Sequence, residues 1–299
     1  MSRFIRYIPL VAGQALAVWW GIGWYYAWKM TQNGNRDISD FDHIDEFPLQ
    51  DITITTRDGV DVSAWFIENN SDKVVIILSG RGSNRHHSIG KARFYLKKGY
   101  SVLLPDLRGT GRSTGEAISF GWHERNDFIA CFNYLKAKGY HQIGAHGFSA
   151  GAATIAYSLK KVKGLKFIVL ESCYASLYRT INYTMHANYL PERFAYPMKF
   201  FTQKYTGIKF KVMMPERYIQ YAEAPVLVMS GDSELLVKTS DTMSLYENAL
   251  NATFRKVHIF ETGKHEHFIN RFYPEYTKLM EDFIGQVEQE HQGRASASS

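Results

Sequence analysis

Short strand-like runs alternate along most of this chain with longer segments in which apolar residues recur every three or four positions. The short runs are KVVIIL (73–78), YSVLLPD (100–106), HQIGAHG (141–147), LKFIVLES (165–172), APVLVMSGD (224–232) and RKVHIFE (255–261). Each reads as a strand buried on both faces. Helical spacing marks 87–99, 122–139, 149–161, 239–250 and 271–290. Near the start, DITITTRDGVDVSAWFIE (51–68) holds two β-rich runs around Asp58-Gly59, a hairpin signal. Strands and helices in alternation predict a mostly parallel sheet covered on both faces.

Two stretches break the rhythm. Residues 173–223 separate two strands by far more than a crossover needs. They carry seven Lys/Arg, three Asp/Glu and many aromatic residues, and are expected to form a small helical insertion over one end of the sheet. At the other extreme, Tyr7 to Trp28 is a run of 22 residues with no charged side chain. As a helix it would be about 33 Å long, against about 30 Å for a bilayer core. A cleaved signal peptide has a shorter apolar core and a small-residue exit, whereas this run leaves through WYYAWK. Residues 1–30 are therefore expected to be an uncleaved transmembrane anchor and 31–50 a polar linker. A globular domain is expected over 51–291 and a disordered Ser/Ala tail over 292–299. Arg3 and Arg6 ahead of the run orient its N-terminus to the cytoplasm and the globular body to the extracytoplasmic side.

Charge changes the picture less than the total suggests. The net formal charge is +6, but residues 1–36 hold Arg3, Arg6, Lys29 and Arg36 and no acid, which leaves 31 bases against 29 acids elsewhere. A nearly neutral body gives no reason to expect nucleic acid as a partner. With 45% hydrophobic residues and two cysteines, the chain is neither disordered nor a disulfide-stapled or Cys-rich zinc module. Cys131 and Cys173 fall in segments expected to be buried.

Candidate chemistry sits where a strand meets a helix. Gly147-Phe148-Ser149-Ala150-Gly151 follows the QIGAH strand and opens a small-residue helix. That context makes G-x-S-x-G a nucleophile elbow, a tight turn that exposes a serine at the carboxyl end of the sheet. A serine nucleophile needs a base and an orienting carboxylate, here in the chain order Ser, acid, His. Two later strand ends supply candidates. Asp232 and Glu234 follow APVLVMSG, and His265 and His267 follow KVHIFETG. His86-His87 and His265-Glu266-His267 lack the spacing of a metal site, and Gly109-Thr110-Gly111 lacks the helix of a dinucleotide fingerprint. No metal or cofactor is expected.

At this point the chain resembles the α/β-hydrolase superfamily, in its lysophospholipase-like and serine-aminopeptidase-like branch. LSGRG (78–82) is similar to the family's HG-x-x-G turn, and PDLRGTGRSTG (105–115) to its D-x-R-G-x-G-x-S-x-G loop. GWHERND (121–127) resembles G-x-x-E-x-x-D, and ESCYASL (171–177) resembles D/E-S-P-Y-x-S-L. The resemblance spans 51 to about 288 and implies an eight-stranded, mostly parallel sheet with a lid formed by the insertion. It places Glu234 at the acid position, with Asp232 as the alternative, and His265 at the base, with His267 as the alternative. It also implies an oxyanion hole from the N–H groups of Ala150 and Arg81. Ser79 replaces the family's histidine in the turn.

The function expected is a membrane-anchored serine hydrolase of carboxylic esters. Its substrate is expected to be a lipid or another hydrophobic acyl ester, because the insertion is aromatic and basic. Amide or peptide hydrolysis on the same fold is the nearest alternative. A non-catalytic scaffold that binds a partner is the alternative from a different class.

Overall fold

The computed structural model describes residues 7–39 and 41–297. Arg3 and Arg6, which orient the expected anchor, lie outside these. Eight strands form one sheet: β1 (Gln50–Thr55), β2 (Asp61–Ile67), β3 (Lys73–Leu78), β4 (Ser101–Pro105), β5 (Gln142–Phe148), β6 (Leu165–Glu171), β7 (Val226–Gly231) and β8 (Arg255–Phe260). Their spatial order is β8-β7-β6-β5-β3-β4-β2-β1. β2 runs antiparallel to both β1 and β4, and every other neighbouring pair is parallel. The hairpin at Asp58-Gly59 joins β1 to β2 as expected. Five of the six runs become inner strands, with Val74 through Leu78 all buried, because a parallel sheet coated on both sides has no wet face; the sixth, β8, is a partly buried edge strand.

The coating helices are α2 (Ile89–Lys97), α3 (Arg125–Ala137), α4 (Ala150–Ser158), α7 (Thr239–Asn248), the short α8 (Phe268–Arg271) and α9 (Tyr273–Ala297); α1 (Ile8–Thr31) precedes the sheet, and α5 (Leu177–Ala187) and α6 (Tyr196–Thr206) lie in the insertion. α9 runs on through the stretch read as a polar tail. Both cysteines are buried thiols.

The transmembrane expectation is corrected here. No helix among the described residues is long and apolar enough to cross a membrane. Gly13, Gln14, Gly21 and Gly23 dilute the apolar character of α1, and one of its faces is already used. Gly23 meets α6 so closely that a Cβ there would stand 2.5 Å from Pro197 Cβ and 2.7 Å from the Met198 backbone N. Trp19 Nε1 donates to the Phe194 carbonyl at 3.0 Å, and the Trp20 ring packs edge-on against Tyr196, Phe200 and Phe201. Two of the aromatic residues in this run, Trp19 and Trp20, are thus part of the seam between α1 and the insertion.

The linker expected over 31–50 is also tied down. Asn35 N–H donates to the Gly82 carbonyl, and the Arg36 guanidinium donates to the carbonyls of Ser113 and Gly115. A two-residue antiparallel pair, His43–Ile44 with Phe47–Pro48, completes it.

Two buried ion pairs fix the loops that follow β3 and β4. Arg85, 1% exposed, donates from Nε and Nη2 to Asp106 Oδ2 at 3.0 and 2.8 Å, and its backbone N–H donates to Oδ1. Arg108 grips the fully buried Asp127 through its backbone N–H, Nε and Nη2, and reaches Asp58 with Nη1 at 2.8 Å. Hydrogen bonds from Arg108 hold the Asp58 carboxyl well below the usual carboxylate range.

Arg108→Met strands Asp127 without its cation. Denaturant unfolding of this variant is expected to show a loss of about 3–5 kcal/mol. The Asp58 pair contributes stability above the ordinary carboxylate pKa, and this is lost as pH falls through the depressed folded value. Asp58→Asn is therefore expected to lower Tm at neutral pH and to flatten the decline of Tm below about pH 4. An unchanged acid limb would contradict this.

Candidate active site

The elbow forms where β5 turns into α4. Ser149 sits at φ 53°, ψ −117°, a backbone region that L-residues occupy only when their surroundings enforce it. Two contacts enforce it here. Ser149 N–H donates to the Glu171 carbonyl at 2.8 Å, and its carbonyl accepts from Ala153 N–H. The flanking glycines are required by space. A Cβ at Gly147 would stand 2.5 Å from Ala152 N, and one at Gly151 would stand 2.5 Å from the Ser79 carbonyl oxygen.

The three residues expected to act together do meet. His265 Nε2 lies 3.0 Å from Ser149 Oγ, and His265 Nδ1 lies 2.7 Å from Glu234 Oε2. With Nδ1–H donating to the carboxylate, Nε2 is free to accept from the serine hydroxyl. Glu234 is 1% exposed. Its other oxygen accepts from Ser172 Oγ at 2.7 Å and from Gly231 N–H at 2.9 Å, so the buried carboxylate has partners on both oxygens. Phe268 is fully buried behind the base, stacked on Phe260.

The two alternatives are excluded by placement. Asp232 is exposed, and its carboxylate accepts from the hydroxyl of its neighbour Ser233. His267 points away from the serine, with Nδ1 2.5 Å from Lys91 Nζ and its ring 4.2 Å from the Phe148 ring centre. Burial, with the Lys91 ammonium beside it, pushes His267 down to about 3. A ring held neutral by its surroundings, with Nδ1 already accepting, is a poor proton carrier near pH 7.

Ala150 opens α4, so its N–H has no acceptor within the helix. The turn after β3 lies alongside: a Cβ on Gly80 would be 3.5 Å from Ser149 Cβ. This brings the turn that carries Arg81 alongside the elbow. Ser79 braces the turn where the family's histidine would stand, bonding the Asn84 carbonyl at 2.8 Å and Ser88 Oγ at 2.9 Å. The Arg81 side chain is exposed and donates to the Met30 carbonyl in the last turn of α1, where a cation complements the helix dipole.

Sequence reasoning missed the supports. Ser172 and Glu171 were visible only as part of a family-like motif, and Lys91 only as one basic residue on a helix. In the structure Glu171 is fully buried. Burial raises its pKa, but Lys91 and His146 overcome this and bring it down to about 2. Among the described residues, no three His, Cys, Asp or Glu side chains converge as a metal site.

The comparisons agree with this geometry. The Pyrococcus furiosus esterase Pf2001 superposes with a TM-score of 0.73 at 29% identity, covering 86% of this chain and 98% of that one. The Bacillus subtilis protein YqkD is 26% identical over 263 residues, 86% of this chain and 85% of its own. A Saccharomyces cerevisiae membrane protein, YNL320W, is 25% identical over 268 residues, 87% of each. The profile of the X-Pro dipeptidyl-peptidase (S15) family matches residues 29–204. That match takes in the elbow, the oxyanion turn and most of the insertion, and leaves nearly all of α1 outside. It covers more than half of the sequence, and the chain accordingly belongs to the S15 peptidase family of α/β-hydrolase serine hydrolases.

Proposed function

We propose that this chain hydrolyses carboxylic esters with a hydrophobic acyl group, through an acyl-enzyme on Ser149. The observation that carries the chemistry is the unbroken hydrogen-bond line from Ser149 Oγ through His265 to Glu234. In this mechanism Oγ attacks the ester carbonyl as its proton moves to His265 Nε2. Glu234 holds the ring in register and balances the imidazolium. The developing oxyanion is met by the N–H groups of Ala150 and Arg81. His265 then gives its proton to the departing alcohol, and water attacks the acyl-enzyme by the reverse path.

The substrate class is drawn from the groove between α1 and the insertion. It encloses about 710 Å³ and is lined mainly by apolar side chains, among them Val18, Ile22, Met185 and Met198. That volume lies within the range of small-molecule sites. Met30 lies in its lining, and the Met30 carbonyl accepts from the side chain of Arg81, the residue after Gly80 in the turn beside Ser149. An acyl chain extending from Ser149 past this turn would bury its methylenes along α1.

The family's peptidase description favours a second reading, amide cleavage. The same enzyme preparation distinguishes the two by turnover of p-nitrophenyl esters against X-Pro p-nitroanilides. A preference for the anilide would replace the ester reading.

A fluorophosphonate probe is expected to label the wild type and not Ser149→Ala. Glu234→Gln should lower kcat by about 10³–10⁴-fold. An unlabelled but folded wild type would support the scaffold alternative instead. Val18 is exposed on the groove wall, so Val18→Asp should fold. It is expected to reduce kcat/KM about tenfold or more on decanoate esters, with acetate esters little affected. Equal losses on both esters would remove the groove from the substrate path.

A further inference from the structure

Beneath the elbow lies a buried ionic cluster that the mechanism above does not use. Lys91, 1% exposed on α2, places Nζ 3.0 Å from Glu171 Oε2, 2.5 Å from His267 Nδ1 and 5.2 Å from the centre of the Phe148 ring. Glu171 Oε2 also accepts from His146 Nε2 at 3.1 Å, and His146 Nδ1 in turn accepts from Tyr95 Oη at 3.1 Å. Glu171 Oε1 accepts from the Phe268 backbone N–H at 3.1 Å. The loop that carries His265 is therefore held just beyond the histidine, at 267 by Lys91 and at 268 by Glu171. The same residue, Glu171, holds the nucleophile through its carbonyl, and its neighbour Ser172 holds Glu234.

An apolar pair of the same volume would fill this space at least as stably. What it would lack is direction. Each of the charged groups bonds along a defined line to a part of the His265 loop. We propose that the buried Lys91–Glu171 pair is the positioning device of the reaction centre, fixing the His265 loop against the strand end that holds Ser149 and Ser172. Neither side chain touches substrate in this account; both act through His265. The proposal rests on the serine-hydrolase reading. It predicts that loss of the pair lowers kcat while leaving substrate binding alone.

Removing one charge strands the other, so two variants that avoid this are compared with the wild type. Lys91→Met/Glu171→Gln removes both charges together. His267→Leu leaves the pair intact and cuts the tie from Lys91 to the loop, while that from Glu171 to Phe268 N–H remains. The readouts are kcat and KM on p-nitrophenyl butyrate, and the rate of fluorophosphonate labelling, each per mole of protein shown folded by circular dichroism.

Both variants are expected to lose about tenfold to 100-fold in kcat and in labelling rate, with KM within about twofold of wild type. His267→Gln, whose amide oxygen can accept from Lys91, is expected to recover part of the loss. Wild-type kcat in folded His267→Leu overturns the proposal. So does a loss carried by KM, or one that His267→Gln shares in full. A wild type that does not label overturns the serine-hydrolase reading itself, and the positioning role with it.

Discussion

A carboxylate with no access to water, at the end of the sixth strand, sets the conditions for the rest of the centre. Isolated in a protein interior, Glu171 would take up a proton or unfold its surroundings. It remains ionised because Lys91, His146 and the Phe268 N–H converge on it. Meeting that demand determines where three separate segments run. The helix carrying Lys91 must pack behind the elbow, the strand carrying His146 must lie alongside, and the loop after β8 must fold back over both. With 267 and 268 so held, His265 Nε2 lies 3.0 Å from Ser149 Oγ. The strained backbone of Ser149 is tied to the same residue through its carbonyl.

On the other side of the nucleophile, the same physics works through guanidinium groups. Arg85 with Asp106, and Arg108 with Asp127, are buried and bidentate or better. They hold the loops after β3 and β4, and hence the turn that presents the Arg81 N–H. The serine is thus flanked by two electrostatically fixed walls, one carrying His265 and the other the turn with Gly80 and Arg81. Buried pairs of this kind contribute little net stability compared with apolar packing. Their value lies in geometry: a relay whose distances are 2.7 and 3.0 Å tolerates little drift.

The N-terminal helix shows how a linear pattern can mislead. A charge-free run of 22 residues rich in tryptophan and tyrosine carries the signs of a membrane span. Glycine at position 23 and the aromatic rings at 19 and 20 instead make a close seam with α6. A count of charges takes no account of how apolar the uncharged residues are or of what each face meets: the run is charge-free, yet no helix among the described residues is long and apolar enough to cross a membrane.

Much of the fold and the core of the site were legible in the sequence. Each of the six strand-like runs became a strand; the five inner ones are largely buried, whereas RKVHIFE forms an edge strand buried only at Phe260. The elbow was readable because a serine between two glycines, at a strand-to-helix junction, permits few other geometries. The choice of Glu234 over Asp232 and of His265 over His267 leaned on family-like spacing, and only the structure supplied the reason. In each pair the rejected group has another occupation: Asp232 faces water and Ser233, and His267 is held by Lys91. The supports could not be read. Lys91, His146 and Glu171 lie far apart along the chain, and a contact between distant residues leaves no periodic trace. The sequence by itself determined the sheet, the elbow and the order of nucleophile, acid and base, because those follow from local pattern. Only the tertiary structure decided which acid, which histidine and which face of the first helix are used, because burial, partner and distance exist only once the chain is folded.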